Sequence, residues 1–338
     1  MTETQHKALP KRGSGEGAEF YMRRCLQLAR CGEAGAAPNP MVGAVVVCDG
    51  RIIGEGFHRR CGGPHAEVNA IGSVGERHLL SRSTIYVSLE PCAHYGKTPP
   101  CADLIIQSGI RRAVIGCTDP FAKVNGLGIK KLQDAGLEVQ VGVLEKECRE
   151  LNRRFFTFHE KHRPWITLKW AQSLDAIMGG DNRITFSNAL TLTLVHRMRA
   201  RSGAILVGTN TALLDNPTLT TRLWPGQNPL RLTIDHHNIL PPTLHFKDGS
   251  TPTHIYLEEN IEEILQDLYS RGIQSLLVEG GARLLQSFID KGLWDEARLE
   301  TAPFCLGEGV SAPILKDEQL ESKQNYGGQI IQQYRHKQ

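Results

Sequence analysis

Aromatic residues are scarce, at 6% of the 338 positions, and charge of either sign barely dominates: 39 Lys and Arg against 36 Asp and Glu leave +3. A nucleic-acid partner normally needs a basic face and rings to stack on bases, so none is expected. No apolar run approaches the ~18 residues of a membrane helix. The most apolar short stretch, Met41–Val47, is strand-sized, and no membrane partner is expected. The opening MTETQHKALPKRGSGEG lacks the apolar core of a secretory signal, and residues 1–17 read as a flexible polar extension. The rest is ordinary, 40% hydrophobic and 22% charged. The length suits about two domains of ~150 residues each.

Cysteine is the unusual component. There are nine, and eight precede residue 150: Cys25, Cys31, Cys48, Cys61, Cys92, Cys101, Cys117 and Cys148. Only Cys305 lies in the second half. An odd count without a secretory signal argues against a disulfide framework. The expected setting is a reducing cytoplasm, with clustered Cys and His pointing to metal or thiol chemistry.

Hydrophobic periodicity predicts helices at Ala18–Arg30, from Pro64 to about Val74, Cys101–Ser108 and Gly128–Ala135. Strands are expected at Met41–Val47, Thr84–Leu89, Arg112–Gly116 and Glu138–Val143. Asp49-Gly50 marks a hairpin turn, so Arg51–Gly56 should return antiparallel. Glu145–Lys161 is a charged helical stretch that Pro164 ends. Beyond it, strands are expected at Trp165–Ala171, Ala204–Gly208, Leu230–Asp235, His254–Leu257 and Ser275–Glu279. Helices are expected at Leu190–Ala200, Ile261–Ser270 and from Gly281 to about Lys291. The organisation is two α/β domains, 18–150 and 165–338, joined by a linker at 151–164.

The first half carries His65-Ala66-Glu67, Pro91-Cys92 and Cys101. One imidazole and two thiolates are three ligands for Zn²⁺, leaving its fourth position for water; that open position distinguishes a catalytic site from a structural one. Both ligand segments fall where strands give way to helices, whose N-termini stabilise thiolates. Glu67, two residues from His65, can face the water without coordinating. Zinc nucleobase deaminases carry this His-x-Glu and Pro-Cys pattern with a Cys-x-x-Cys spacing. Here eight residues separate Cys92 from Cys101. Two blander readings stand beside it: a helix-capping His65 with core thiols, or a closed zinc with His94 or Cys61 as fourth ligand.

The wide spacing brings a resemblance into view. Glu90–Cys101, EPCAHYGKTPPC, resembles the zinc loop of the bifunctional riboflavin-biosynthesis deaminase/reductase family. Asn39-Pro40-Met41-Val42-Gly43-Ala44, Gly56-Phe57-His58, Gly62, Asp119-Pro120, Gly126 and Gly128 match it in order and separation, and the likeness extends over residues 18–310. The resemblance implies a cytidine-deaminase-like α/β/α layered N-terminal domain with Zn²⁺ on His65, Cys92 and Cys101. Glu67 would be catalytic, and Asn39, His58 and Lys97 would contact a pyrimidine ribose-phosphate substrate. It implies hydrolytic deamination of 2,5-diamino-6-ribosylamino-4(3H)-pyrimidinone 5′-phosphate, then reduction of the ribosyl group to a ribityl chain.

In the second half, Val278-Glu279-Gly280-Gly281 ends a strand before a helix, where backbone N–H groups can cradle a pyrophosphate. Gly208–Pro217 occupies the loop after an earlier strand. These segments resemble the family's dihydrofolate-reductase-like α/β domain, which uses NADPH. Gln172, Thr211, Asp215 and the run Gly280, Gly281, Ala282, Arg283, Leu284 and Leu285 would then bind the cofactor. Lys169, Arg199, Leu219, Arg222 and Glu279 would line the substrate. No 2′-phosphate clamp stands out, so the choice of NADPH over NADH comes from the resemblance alone. The chain departs from the family at Gln172 and Ala176, which replace small residues, and around Arg183, where the customary Ser-x-Trp is missing. An inactive reductase-like domain is therefore one rival reading. A nucleic-acid-editing deaminase and a non-catalytic zinc scaffold are others. Whether the chain forms a homo-oligomer is left open.

Overall fold

The computed structural model describes residues 15–94, 99–121, 124–180, 184–257 and 259–337. The chain divides into two compact units between Lys161 and His162.

The N-terminal unit is a five-stranded sheet in the order β2-β1-β3-β4-β5. Its strands are β1 (Gly43–Cys48), β2 (Arg51–Phe57), β3 (Thr84–Val87), β4 (Arg112–Ile115) and β5 (Glu138–Val141). β2 and β3 both run antiparallel to β1, the first through the turn at Asp49-Gly50, while β3, β4 and β5 are parallel. Among the described residues six helices flank the sheet: α1 (Gly15–Arg30), α2 (Ala66–Gly72), α3 (Cys101–Gln107), α4 (Leu127–Asp134), α5 (Glu145–Leu151) and α6 (Arg153–Lys161). All six residues of β1 are buried. Val45 and Val47 face the core made with α1 and Phe155, whereas Ala44 and Val46 face the one made with α2, α3 and Leu132. Alternate residues of a strand point to opposite faces, so a continuous apolar run is what a doubly covered sheet requires.

The C-terminal unit is an eight-stranded sheet in the order β12-β13-β11-β6-β10-β7-β8-β9. In chain order these are β6 (Trp165–Gln172), β7 (Ala204–Val207), β8 (Leu230–Ile234), β9 (Thr253–Tyr256), β10 (Ser275–Glu279), β11 (Glu296–Thr301), β12 (Glu318–Tyr326) and β13 (Gln329–His336). Six strands from β11 to β9 are parallel, and the β12–β13 hairpin adds antiparallel through β13. Helices α7 (Ala189–Ala200), α8 (Thr209–Asp215), α9 (Ile261–Ser270) and α10 (Ala282–Asp290) complete it. The segment read as a loop at Gly208–Pro217 is thus mostly helix α8. Among the described residues no helix is long and apolar enough to cross a membrane.

Ala176 adopts φ 61°, the left-handed region. An L-residue there meets steric strain that glycine escapes. The resemblance implies a glycine at this position, which would escape that strain, whereas this chain carries Ala176 under it. Ala176→Gly is expected to stabilise the C-terminal unit by about 0.5–1 kcal/mol, the relief of strain less glycine's larger unfolded entropy. All four tryptophans, Trp165, Trp170, Trp224 and Trp294, lie in this unit, so urea unfolding followed by their fluorescence reads it directly. An unchanged or lower midpoint counts against strain at Ala176.

Candidate active sites

In the N-terminal unit, His65 precedes α2 in an extended conformation, Cys92 follows β3, and Cys101 opens α3. His65 Nδ1 lies 3.6 Å from Cys92 Sγ and 3.2 Å from Cys101 Sγ, and the three ligand atoms are all within 4.8 Å of one another. Ligands at zinc bond lengths of about 2.0–2.3 Å are separated by about 3.3–3.8 Å in a tetrahedral shell. The cluster therefore fits Zn²⁺. It comprises three residues among those described. Neither His94, edge-on to Phe121, nor Cys61, exposed, belongs to it.

Of the two thiols, Cys92 is the one primed for ionisation. The Cys101 thiol hydrogen-bonds Cys92 and, against burial, brings it down to about 4, with His65 assisting; the same bond and burial push Cys101 well up. The Cys101 backbone N–H also donates to Cys92 Sγ at 3.3 Å. Glu67, in the first turn of α2, is 3% exposed, and burial pushes its carboxyl up to about 7. A divalent cation on the cluster would pull that value down again.

Asn39 is half-buried and meets His58: Asn39 Nδ2 and His58 Nε2 are 3.1 Å apart. His58 Nδ1 faces the Pro64 carbonyl at 3.1 Å, so Nδ1 carries the proton and Nε2 accepts from Asn39. His58 is 2% exposed, and burial lowers its pKa. Both of its nitrogens are thus engaged within the protein. Lys97 lies outside the described residues.

In the C-terminal unit one cleft of about 930 Å³ gathers most of the predicted residues. Lys169, Arg199, Leu219 and Glu279 line it, as do Thr211 and Asp215 of α8. Gly280, Gly281, Ala282, Arg283 and Leu284 line it at the start of α10. Gly280 and Gly281 have φ 82° and 73°, and a Cβ on either would crowd Thr211. Consecutive positive φ values are glycine's province and turn backbone toward the cleft.

Arg199 and Glu279 form a buried two-point ion pair at 2.8 and 2.7 Å, and the third Arg199 nitrogen donates to Thr220 O at 3.2 Å. Burial works against the Glu279 carboxylate, but Arg199, then Lys169, bring its pKa down to about 2. Lys169 sits in strand register between Glu279 and Arg298, and burial lowers its pKa.

Three predicted residues fall elsewhere. Leu285 is fully buried in the core. Arg222 is exposed, donating to Thr218 Oγ1 at 2.8 Å. The Gln172 amide accepts from the Trp170 indole at 2.9 Å, and Gln172 is not among the cleft residues. The segment lacking the family pattern still sends Ile184 and Phe186 into the cleft, with Phe186 stacked on Phe304 at 5.8 Å. Residues 181–183, including Arg183, lie outside the described set.

Residues 16–117 match the cytidine and deoxycytidylate deaminase zinc-binding region, and residues 164–333 match the RibD C-terminal domain. Riboflavin biosynthesis protein RibD of Aquifex aeolicus is 41% identical over 89% of this chain and 91% of its own length. The chain belongs to the RibD family. The Escherichia coli RibD is 36% identical over 86% of this chain and 88% of its own. A deaminase/reductase structure from Thermotoga maritima superposes with a TM-score of 0.86 at 36% identity, covering 96% of this chain and 99% of that one. As a RibD family member the chain is a bifunctional enzyme of riboflavin biosynthesis, pairing a zinc-binding deaminase unit with an NADPH-using reductase unit. The match runs through both halves, unlike that expected of a nucleic-acid-editing deaminase with an unrelated accessory domain.

One residue of the RibD zinc loop escaped the sequence reading. Glu90 is 4% exposed, and its carboxylate accepts four backbone N–H groups, those of Asp119, Gly126, Gly128 and Ile129. Its place beside Pro91-Cys92 was the available signal, because an acid there has no role in ligation.

Proposed function

We propose that the N-terminal unit hydrolytically removes an amino group from a diaminohydroxyphosphoribosylaminopyrimidine, and that the C-terminal unit reduces the resulting phosphoribosylaminouracil to its ribityl form. These are the activities named for the Thermotoga relative. The observation that supports deamination is the His65 imidazole between two thiols with an ionisable carboxyl buried beside them.

His65, Cys92 and Cys101 would hold Zn²⁺, which when bound acts as a Lewis acid toward water. Glu67 takes a proton from the attacking water as its oxygen bonds to the amidine carbon, and passes that proton to the ring nitrogen. It then carries the proton of the newly added hydroxyl to the amine, so the carbonyl forms as the C–N bond breaks and ammonia leaves. Asn39 reads the pyrimidine edge, and His58 holds the Asn39 amide in position.

In the reductase unit Gly280 and Gly281 would present backbone N–H groups to the phosphates of NADPH, which when bound would supply the hydride for C1′ of the ribosyl group. The C1′–O4′ bond opens and O4′ takes a proton. Glu279, ionised against Arg199, accepts from ribose hydroxyls and is a poor acid; Lys169, whose ammonium burial destabilises, is the better proton source. Nine free cysteines suit a reducing cytoplasm as the place of work.

Ammonia release and nicotinamide absorbance, followed together with the diaminopyrimidine as substrate, test this reading. Ammonia should appear without NADPH, and NADPH should be consumed only after deamination. Zinc-loaded protein that releases no ammonia overturns the first half; no NADPH oxidation with the deaminated intermediate overturns the second.

A further inference from the structure

The geometry points to Glu90 as a positioning residue for the metal site, one that holds the Cys92 ligand in place from behind through the backbone of another loop. The inference rests on the zinc reading above. Oε2 accepts from Asp119 N at 3.1 Å and Gly126 N at 3.0 Å; Oε1 accepts from Gly128 N at 2.9 Å and Ile129 N at 3.2 Å. A buried carboxylate is costly unless its lone pairs are filled, and four donors fill them. The Glu90 backbone is pinned as well, its N–H donating to Cys117 O at 2.9 Å just past β4. Gly128 packs against the next residue so closely that a Cβ there would overlap the Pro91 carbonyl oxygen. Glu90 and Pro91 are thus clamped to Cys117, Asp119 and residues 126–129, and Cys92 is the next residue along.

Cys92 needs such support. Unlike Cys101, which is buried at the start of α3, it stands in an irregular segment and is only partly covered. On the downstream side the Ala102 N–H, in the first turn of α3, donates to Cys92 O at 3.2 Å. The upstream clamp at Glu90 and this downstream bond fix the Cys92 backbone, and the Cys101 N–H at 3.3 Å from Sγ orients its sulfur.

Glu90→Gln keeps the size of the side chain but turns one end from acceptor to donor, setting its NH₂ against two backbone N–H groups. Supports of this kind typically change metal affinity by about 10–100-fold when removed. In the full-length chain, loss of zinc to a chromophoric chelator should accelerate by a factor in that range. The Co²⁺-substituted variant should show weakened or shifted thiolate charge-transfer bands. NADPH oxidation with the deaminated intermediate should be unchanged, and circular dichroism should show an intact fold at the assay temperature. Should Glu90→Gln fail to fold, Glu90→Asp decides, because it keeps the charge while withdrawing it by one methylene; zinc loss faster than wild type is expected. Wild-type zinc retention with a wild-type cobalt spectrum in either folded variant overturns the inference. Wild-type protein that binds no zinc overturns the zinc reading instead, so the two failures are distinct.

Discussion

Glu67→Gln is expected to lower deamination by about 10²–10⁴-fold, the range for removing a positioned general acid–base group. The amide has nearly the size and shape of the carboxyl, so the tight site around this residue, 3% exposed, is kept. What is lost is the capacity to take a proton from water and return it to the ring nitrogen and the leaving amine. Glutamine can accept or donate hydrogen bonds but cannot exchange a proton near neutral pH. His65, Cys92 and Cys101 are untouched, so zinc content measured on the purified variant should match wild type. The reductase unit is a separate compact body, so NADPH oxidation with the deaminated intermediate should be unaffected. Ammonia release near the wild-type rate would remove Glu67 from the mechanism. Loss of ammonia release accompanied by loss of zinc would make it a structural residue instead.

The metal cluster was legible from sequence because its ligands are chemically rare and sit beside prolines, two of them at helix starts, where local patterning is strong. Cys101 follows two prolines and opens a helix, and His65 sits one residue after Pro64. Glu90 was harder to read: its four partners are 29 to 39 residues away along the chain, and no local pattern shows that a carboxylate will meet backbone amides across such a distance. Gln172 was expected at the cofactor in place of a small residue, yet the Trp170 indole, two residues away on the same strand, holds its amide. His58 was expected at the substrate from the resemblance, but its two bonds, to Asn39 and to the Pro64 carbonyl, are not visible in the local sequence. The strands β11 to β13 were not anticipated. β12 is polar along most of its length and mostly exposed, so it lacks the apolar alternation that marks a half-buried strand, although Gly327-Gly328 does signal its hairpin.

Arg199→Met is expected to destabilise the C-terminal unit by about 3–5 kcal/mol, the usual consequence of leaving one member of a buried ion pair without its partner. Arg199 is 9% exposed and Glu279 7%, so water cannot take over from the guanidinium. The pH dependence gives the sharper test. With Arg199 present the Glu279 carboxyl is held at about 2, below its unperturbed 4.5. A carboxyl depressed on folding contributes stability that is fully present above the unfolded value and is lost as pH falls through the folded one, so the window runs from about 4.5 down to about 2. That shift corresponds to about 3 kcal/mol near neutrality. Without Arg199, burial pushes the Glu279 carboxyl up with only the Lys169 ammonium and His196 to oppose it, so protonation costs less. The stability gap between wild type and Arg199→Met should therefore be widest near neutral pH and narrow as the solution is acidified. Urea midpoints from tryptophan fluorescence at a series of pH values measure it, since every tryptophan belongs to this unit. A gap that stays constant across the window would mean that Arg199 acts through packing, not through the charge on Glu279.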